Sequence, residues 1–145
     1  MRPDPDTPRD PLTGLVSRRG WDLIVAEAQH RIDDQGDRVA VAVIAIDGLE
    51  ALTRAKGENA GKEVIRRSAN ALKAVAGSGD WLARSGGTFL AMAHNVGEDD
   101  LPEHFGIFVD AMAAHGVTGL LGFAAAAPSV TDAHLRAIDA LAEQT

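Results

Sequence analysis

The chain has 145 residues, a net charge of −7 and no cysteine; 46% of its residues are hydrophobic and 24% are charged. That composition fits one globular domain with its own core, and it excludes disulfides, thiol chemistry and cysteine-based zinc sites. The acidic balance argues against a nucleic-acid partner, since the basic pairs Arg18-Arg19 and Arg66-Arg67 read as solvated helix charges, and no apolar run reaches the ~18 residues of a membrane span.

Residues 1–9 are rich in Pro and Asp and read as a linker or tail rather than a signal peptide, with a single domain expected over 10–145 and a reducing cytoplasm as its compartment. A first helix follows Thr13-Gly14-Leu15, with Ser17 as its N-cap, Trp21, Ile24, Val25 and Ala28 at helical spacing, and an end at Asp33–Gly36. Val39–Ile46 is apolar throughout and rich in β-branched residues, the pattern of a strand buried on both faces. Leu49–Lys56 predicts a short helix stopped by Gly57. Asn59 is expected to cap a longer one with Val64, Ile65, Ala69, Leu72 and Val75 as its apolar stripe. Two short strands, Asp80–Ser85 and Thr88–His94, flank Gly86-Gly87, a pair suited to the positive φ angles of a two-residue hairpin. A helix over Leu101–Ala114 follows, with the acidic run Glu98-Asp99-Asp100 at its N-terminus. Val117–Ala126 forms another strand, and Thr131 is expected to cap a last helix carrying Leu135, Ile138 and Leu141. The order predicts an α/β (α+β) domain with a mixed sheet. His30, His94, His104, His115 and His134 have no metal-ligand spacing, and no serine sits in a nucleophile motif.

Several motifs occur in one collinear series. Asp10-Pro-Leu-Thr-Gly-Leu-Val-Ser-Arg-Arg19 is followed by Ala45-Ile-Asp-Gly-Leu-Glu50, by Gly57 and Gly61, by Ala83-Arg-Ser-Gly-Gly-Thr-Phe-Leu90 and by the strand around Gly122. The series resembles the GGDEF domains, the diguanylate cyclases, with their D-x-L-T-G-L-x-N-R-R opening, D-x-D-x-F-K, Y-G-H-x-x-G-D, A-R-Y-G-G-D-E-F and late S-x-G strand. Ser17 stands where the family has Asn. The resemblance covers nearly the whole chain after Asp10. It implies a central mixed sheet wrapped by helices, as in the palm of class III nucleotidyl cyclases. Gly86-Gly87 would border the nucleotide pocket, although a plain hairpin explains the two glycines equally well.

The resembled enzymes join two GTP molecules into cyclic di-GMP with two divalent metals, which need carboxylate oxygens. In this chain the first metal position is Ala45, and the acidic pair after the glycines is Thr88-Phe89. Asp47 remains as one carboxylate, expected to cap the helix over 49–56. The positions implied to read guanine are Thr53 and Lys62, and Lys62 reverses the charge. In the product-inhibition motif R-x-x-D, Asp80 is present but Gly77 replaces the Arg. Ala137–Ala142 is a weak echo of the late D-x-A-L-Y-x-A-K signature. Asp10 and Arg18 are expected to form a salt bridge that locks the opening turn. The chain is thus expected to be a catalytically inactive GGDEF-like domain, with no catalytic residue, metal or cofactor. It would act as a regulatory protein-interaction or dimerisation module in signalling, with a protein partner or a second copy. The alternative is a non-catalytic nucleotide sensor using Thr53, Lys62 and Thr88. Residual cyclase activity through Asp47 is the least supported reading.

Overall fold

The computed structural model describes residues 7–77, 79–126 and 129–144. Helix α1 (Arg18–Gln35) starts at Ser17, whose hydroxyl accepts the Gly20 N–H, and ends at Gly36 in the left-handed conformation. Strand β1 (Val39–Ile46) leads to α2 (Leu49–Lys56) and α3 (Glu58–Val75), with Gly57 between the two helices at φ +94°. Strands β2 (Trp81–Ser85) and β3 (Thr88–His94) form a hairpin, and helix α4 (Leu101–Ala114), strand β4 (Gly119–Ala125) and helix α5 (Val130–Ala142) complete the order.

The four strands lie in the order β2-β3-β1-β4, and each adjacent pair is antiparallel. The two helical crossovers each skip a strand, so β1 and β2 run parallel without touching. A parallel bridge between Val16 and Ala83 adds a short parallel contact at the β2 edge. Helices α3 and α4 cover one face, where Ile44, Ile65, Leu72, Phe89, Phe105, Phe108 and Met112 share a core cluster. Helices α1 and α5 cover the other, with Trp21, Ile24, Val41, Val43, Trp81, Leu90, Met92 and Val130. β1 is therefore apolar on both faces because each face has its own helical layer.

Several local expectations change. Gly57, not Asn59, is the N-cap of α3, and Asn59 lies inside the first turn. Ser129, not Thr131, caps α5 through its hydroxyl and the Asp132 N–H at 3.2 Å. The buried stripe of α5 is Val130, Ala133 and Ala137, whereas Leu135 and Ile138 are 58% and 43% exposed. Gly122 explains this. A Cβ there would lie 2.0 Å from the Ala137 carbonyl oxygen, so α5 sits directly on β4 and only small residues fit beneath it. Strand β2 begins at Trp81 rather than Asp80, and β4 is shorter than 117–126. The acidic run forms a 3-10 turn, Glu98–Asp100, against the start of α4, and Asp100 makes no side-chain cap bond. Residues 1–6 of the expected tail lie outside the described residues.

Candidate functional site

The hairpin and the opening turn form one unit. Ser85 pairs with Thr88 across Gly86-Gly87, and only Gly86 has a positive φ, +62°. One positive φ at the first central position is the type II′ pattern, not the type I′ turn that needs two. Gly87 has no positive φ; a Cβ there would come within 2.6 Å of Leu49 Cδ2 at the start of α2, so that leucine side chain would have to shift. The Asp10 carboxylate accepts the Thr13 hydroxyl at 2.6 Å and the Thr13 N–H at 3.0 Å, closing the turn that Gly14 completes at φ +76°. Its ion-pair partner is Arg84, at 2.9 Å, not Arg18. Arg18 is half exposed at the first turn of α1 and reaches Asp22 instead, because a helix places i+4 on the same side. Arg84 also donates through Nε to the Gly86 carbonyl at 2.8 Å. One guanidinium thus ties the opening turn to the hairpin tip. Lys73 of α3 donates to the Thr13 carbonyl at 2.8 Å and fastens the same turn from a second side. Burial alone would raise the Asp10 carboxyl, but the Thr13 hydroxyl and the Arg84 charge outweigh it and hold its pKa below the ordinary 3.8. Sequence reasoning passed over Arg84 and Lys73. Arg84 lies inside the A-R-x-G-G match, but its two partners, Asp10 and the Gly86 carbonyl, meet only in the folded chain.

Ala45 and Thr88 are direct partners across β1 and β3, and both are half-buried. The two positions that the family resemblance assigns to metal carboxylates are therefore adjacent, and they hold a methyl group and a hydroxyl. Phe89 is different. It pairs with Ile44, is 0% exposed and belongs to the core under α3 and α4. Strand alternation turns Thr88 and Phe89 to opposite faces, so Phe89 is core and does not line the Ala45–Thr88 side. Asp47 is exposed beyond the end of β1, and its N–H donates to the Thr118 carbonyl at 2.9 Å. It does not cap α2: the N-cap is Gly48 at φ +76°, with no side-chain cap bond. Two divalent cations do not fit this set, since Ala45 and Thr88 offer no carboxylate and Asp47 supplies only one, beyond the end of the strand. Among the described residues no group of three His, Asp or Glu side chains is placed to hold a metal.

Thr53 and Lys62 come together. With Glu58, Gly61 and Ile65 they line a shallow groove of about 230 Å³ between α2 and α3. The Thr53 hydroxyl donates to the Leu49 carbonyl at 2.9 Å and would lie 2.4 Å from a Cβ at position 61. Gly61 thus lets the two helices close, and Thr53 already uses its proton. Lys62 is exposed. A second groove of about 220 Å³, lined by Asp47, Gly48, Leu52, Arg67 and Thr118, adjoins the start of α2. A cavity of about 510 Å³ lies at the far end of the sheet among Ile32, Arg38, Val39, Val96, Leu101 and Ala125, and touches none of these residues.

Asp80 makes structural contacts. The Asp80 carboxylate accepts the Gly77 N–H at 2.8 Å and meets His104 Nε2 at 2.8 Å, tying the β2 entry to α4. His94 Nδ1 lies 3.0 Å from the Gly79 carbonyl, and His30 pairs with Asp34. His134 packs edge-on against Trp21, and burial followed by the Arg18 charge lowers its pKa. Among the described residues no helix is long and apolar enough to cross a membrane.

Comparison with known proteins places this architecture. The GGDEF domain of DgcB from Caulobacter crescentus, solved in complex with c-di-GMP, is 23% identical. It matches with a TM-score of 0.87 over 99% of this chain and 92% of that one. Diguanylate cyclase SiaD from Pseudomonas aeruginosa, solved in complex with its activator SiaC, is 22% identical, with a TM-score of 0.85 over 93% of this chain and 56% of that one. An uncharacterised 19.3 kDa protein from the repSA 5′ region of Streptomyces ambofaciens is 35% identical over 79 residues, 54% of this chain and 41% of that relative's length. The family model for the diguanylate cyclase GGDEF domain matches residues 7–115, and the chain belongs to that family.

Proposed function

We propose that this GGDEF domain makes no cyclic di-GMP and works through protein contacts, as a regulatory interaction or dimerisation module spanning residues 10–145 in the cytoplasm. The observation that carries this reading is the Ala45–Thr88 pair. Neighbouring strands bring together the two positions where metal-binding carboxylates would have to meet, and neither residue has one. Phe89, the other acidic position of the motif, is closed inside the core. The frame around the lost site is kept intact by the Asp10–Arg84–Gly86 connection, which is what a module that transmits contacts needs. A protein of similar fold, SiaD, was solved in complex with an activator protein. The test is incubation with GTP and Mg²⁺ followed by chromatography for cyclic di-GMP. No product is expected. Product that disappears in Asp47→Ala would overturn the reading.

A nucleotide sensor is the second reading, favoured by the groove that joins Thr53 and Lys62. Thermal-shift titration with GTP, GDP, ATP, GMP and cyclic di-GMP separates the two. A ligand that binds only the folded chain must raise its Tm, and Lys62→Ala should cancel that rise. No shift with any nucleotide leaves the surface as the working part.

A further inference from the structure

Strand β1 starts at Val39 and β4 finishes at Ala125, at an end of the sheet where α1 has already stopped at Gln35 and α4 does not begin until Leu101. The cavity of about 510 Å³ lies at that end, and its lining draws on both helical layers. Val39 and Ala126 belong to the core under α1 and α5, and Ala40 and Leu101 to the core under α3 and α4. Ile32 is partly buried against the first core and Val96 against the second. The volume falls within the roughly 300–1,000 Å³ of small-molecule sites, and no residue of this lining belongs to either groove beside α2.

Backbone fixes one wall. Asn95 follows β3 at φ +61°, alone among the described non-glycine residues in the left-handed region. Its N–H donates to the Arg38 carbonyl at 2.9 Å, so the segment entering β1 is tied to the segment leaving β3. Arg38 and Glu98 both line the cavity and both are exposed. They do not pair with each other, and among the described residues neither side chain has a hydrogen bond or an ion pair. Asp37, the third ionisable group of the lining, lies 3.8 Å from Arg31.

An apolar cavity whose lining holds one unpartnered cation and one unpartnered anion complements a molecule that carries both charges beside an apolar group. We propose that this end of the sheet binds a zwitterion with an apolar side chain, namely a large apolar amino acid. Its carboxylate accepts from the Arg38 guanidinium, its ammonium donates to the Glu98 carboxylate, and its side chain enters among Ile32, Val96 and Leu101. A simple carboxylic acid would answer Arg38 but meet the negative charge of Glu98. A simple amine would answer Glu98 and leave Arg38 without a partner. The site goes beyond the interaction-module reading and does not depend on it, for it lies at the opposite end of β1 from Ala45.

The experiment is an amide NMR titration of the full chain with phenylalanine, phenethylamine and phenylpropanoate, which share a phenyl ring and differ in the charges beside it. Phenylalanine should move the signals of Val39, Val96, Leu101 and Ala125, and each analogue should bind about tenfold more weakly or worse. Phenylalanine should bind Arg38→Ala no better than phenethylamine does, and Glu98→Ala no better than phenylpropanoate does. Both substitutions are at exposed positions, so the variants should keep the wild-type Tm. The proposal is overturned if phenylalanine leaves the four signals in place, if either analogue binds as tightly as phenylalanine, or if its affinity is unchanged in either variant. None of these outcomes touches cyclic di-GMP synthesis or partner binding, so the two readings fail separately.

Discussion

Replacing Arg84 with alanine tests the link between the opening turn and the hairpin. The substitution removes a 2.9 Å ion pair to Asp10 and a 2.8 Å bond to the Gly86 carbonyl. The Arg84 and Asp10 side chains are 21% and 12% exposed, so the pair lies between two regimes. Exposed pairs contribute about 0.2–1 kcal/mol, and breaking a buried pair costs about 3–5 kcal/mol. Asp10 keeps its two bonds from Thr13 in the variant, which moderates the loss. The expected cost is about 2–3 kcal/mol, a fall in Tm of about 5–10 °C for a domain of this size. Urea unfolding of Arg84→Ala, Asp10→Asn and the double variant gives the coupling, expected at about 1–2 kcal/mol. Arg18→Ala is the control. It loses only the exposed 3.4 Å contact to Asp22 and should stay within about 0.5 kcal/mol of the wild type. Additive effects at Arg84 and Asp10, or coupling of Asp10 to Arg18 instead, would refute the argument that Arg84 joins the two segments.

Acid should weaken the same unit. The folded pKa of Asp10 is held below its unfolded value of 3.8, so its contribution is full above that value and fades as pH falls through the lower folded one. In Asp10→Asn that part of the acid sensitivity should vanish from a Tm-against-pH series. Gly122→Ala would drive a methyl group to 2.0 Å from the Ala137 carbonyl and 2.5 Å from the Leu141 nitrogen. Overpacking against helix backbone should cost about 2–3 kcal/mol in denaturant unfolding, and an unchanged midpoint would mean that α5 does not rest on β4 as described. Ala45→Asp/Thr88→Asp sets two carboxylates directly across from each other. Repulsion should lower the Tm, and Mn²⁺ should restore it in this variant but not in the wild type; no response to the cation would count against the site's geometry. Phe89→Glu, by contrast, buries a charge in the α3–α4 core and should unfold the domain instead of rebuilding a metal site, as near-ultraviolet circular dichroism would reveal.

The element order was legible because each local signal had one physical reading. Gly36 and Gly57 ended helices where left-handed backbone was needed, and Val39–Ile46 could only be a strand with both faces covered. The misses share a different cause. Periodicity puts Leu135 and Ile138 in the core, but Gly122 draws α5 so close to β4 that Ala133 and Ala137 take the inner face. Nearness in sequence pairs Asp10 with Arg18, whereas its partner Arg84 lies 74 residues away along the chain, on strand β2. At the candidate site the family motifs name Ala45, Thr88, Thr53 and Lys62, but only the strand register and helix packing set Ala45 beside Thr88 and Thr53 beside Lys62. The inward turn of Phe89 follows from strict alternation along β3.

The position of β1 in the sheet also sets a problem of timing. Val43 pairs with Leu90 on one side and Gly122 on the other, and both partners are made long after it. During synthesis the segment VAVAVIAI has no strand to pair with until β3 emerges, whereas β2 and β3 close on each other through a two-residue turn. Contacts of such long sequence separation slow folding and lengthen the interval in which an apolar strand stands open. Helices α2 and α3 emerge directly after it, and Ile65, Ala69 and Leu72 can cover the Ala42–Ile44 face before any ladder bond exists. The helical layer that encloses the finished core is thus also the first shelter its central strand receives.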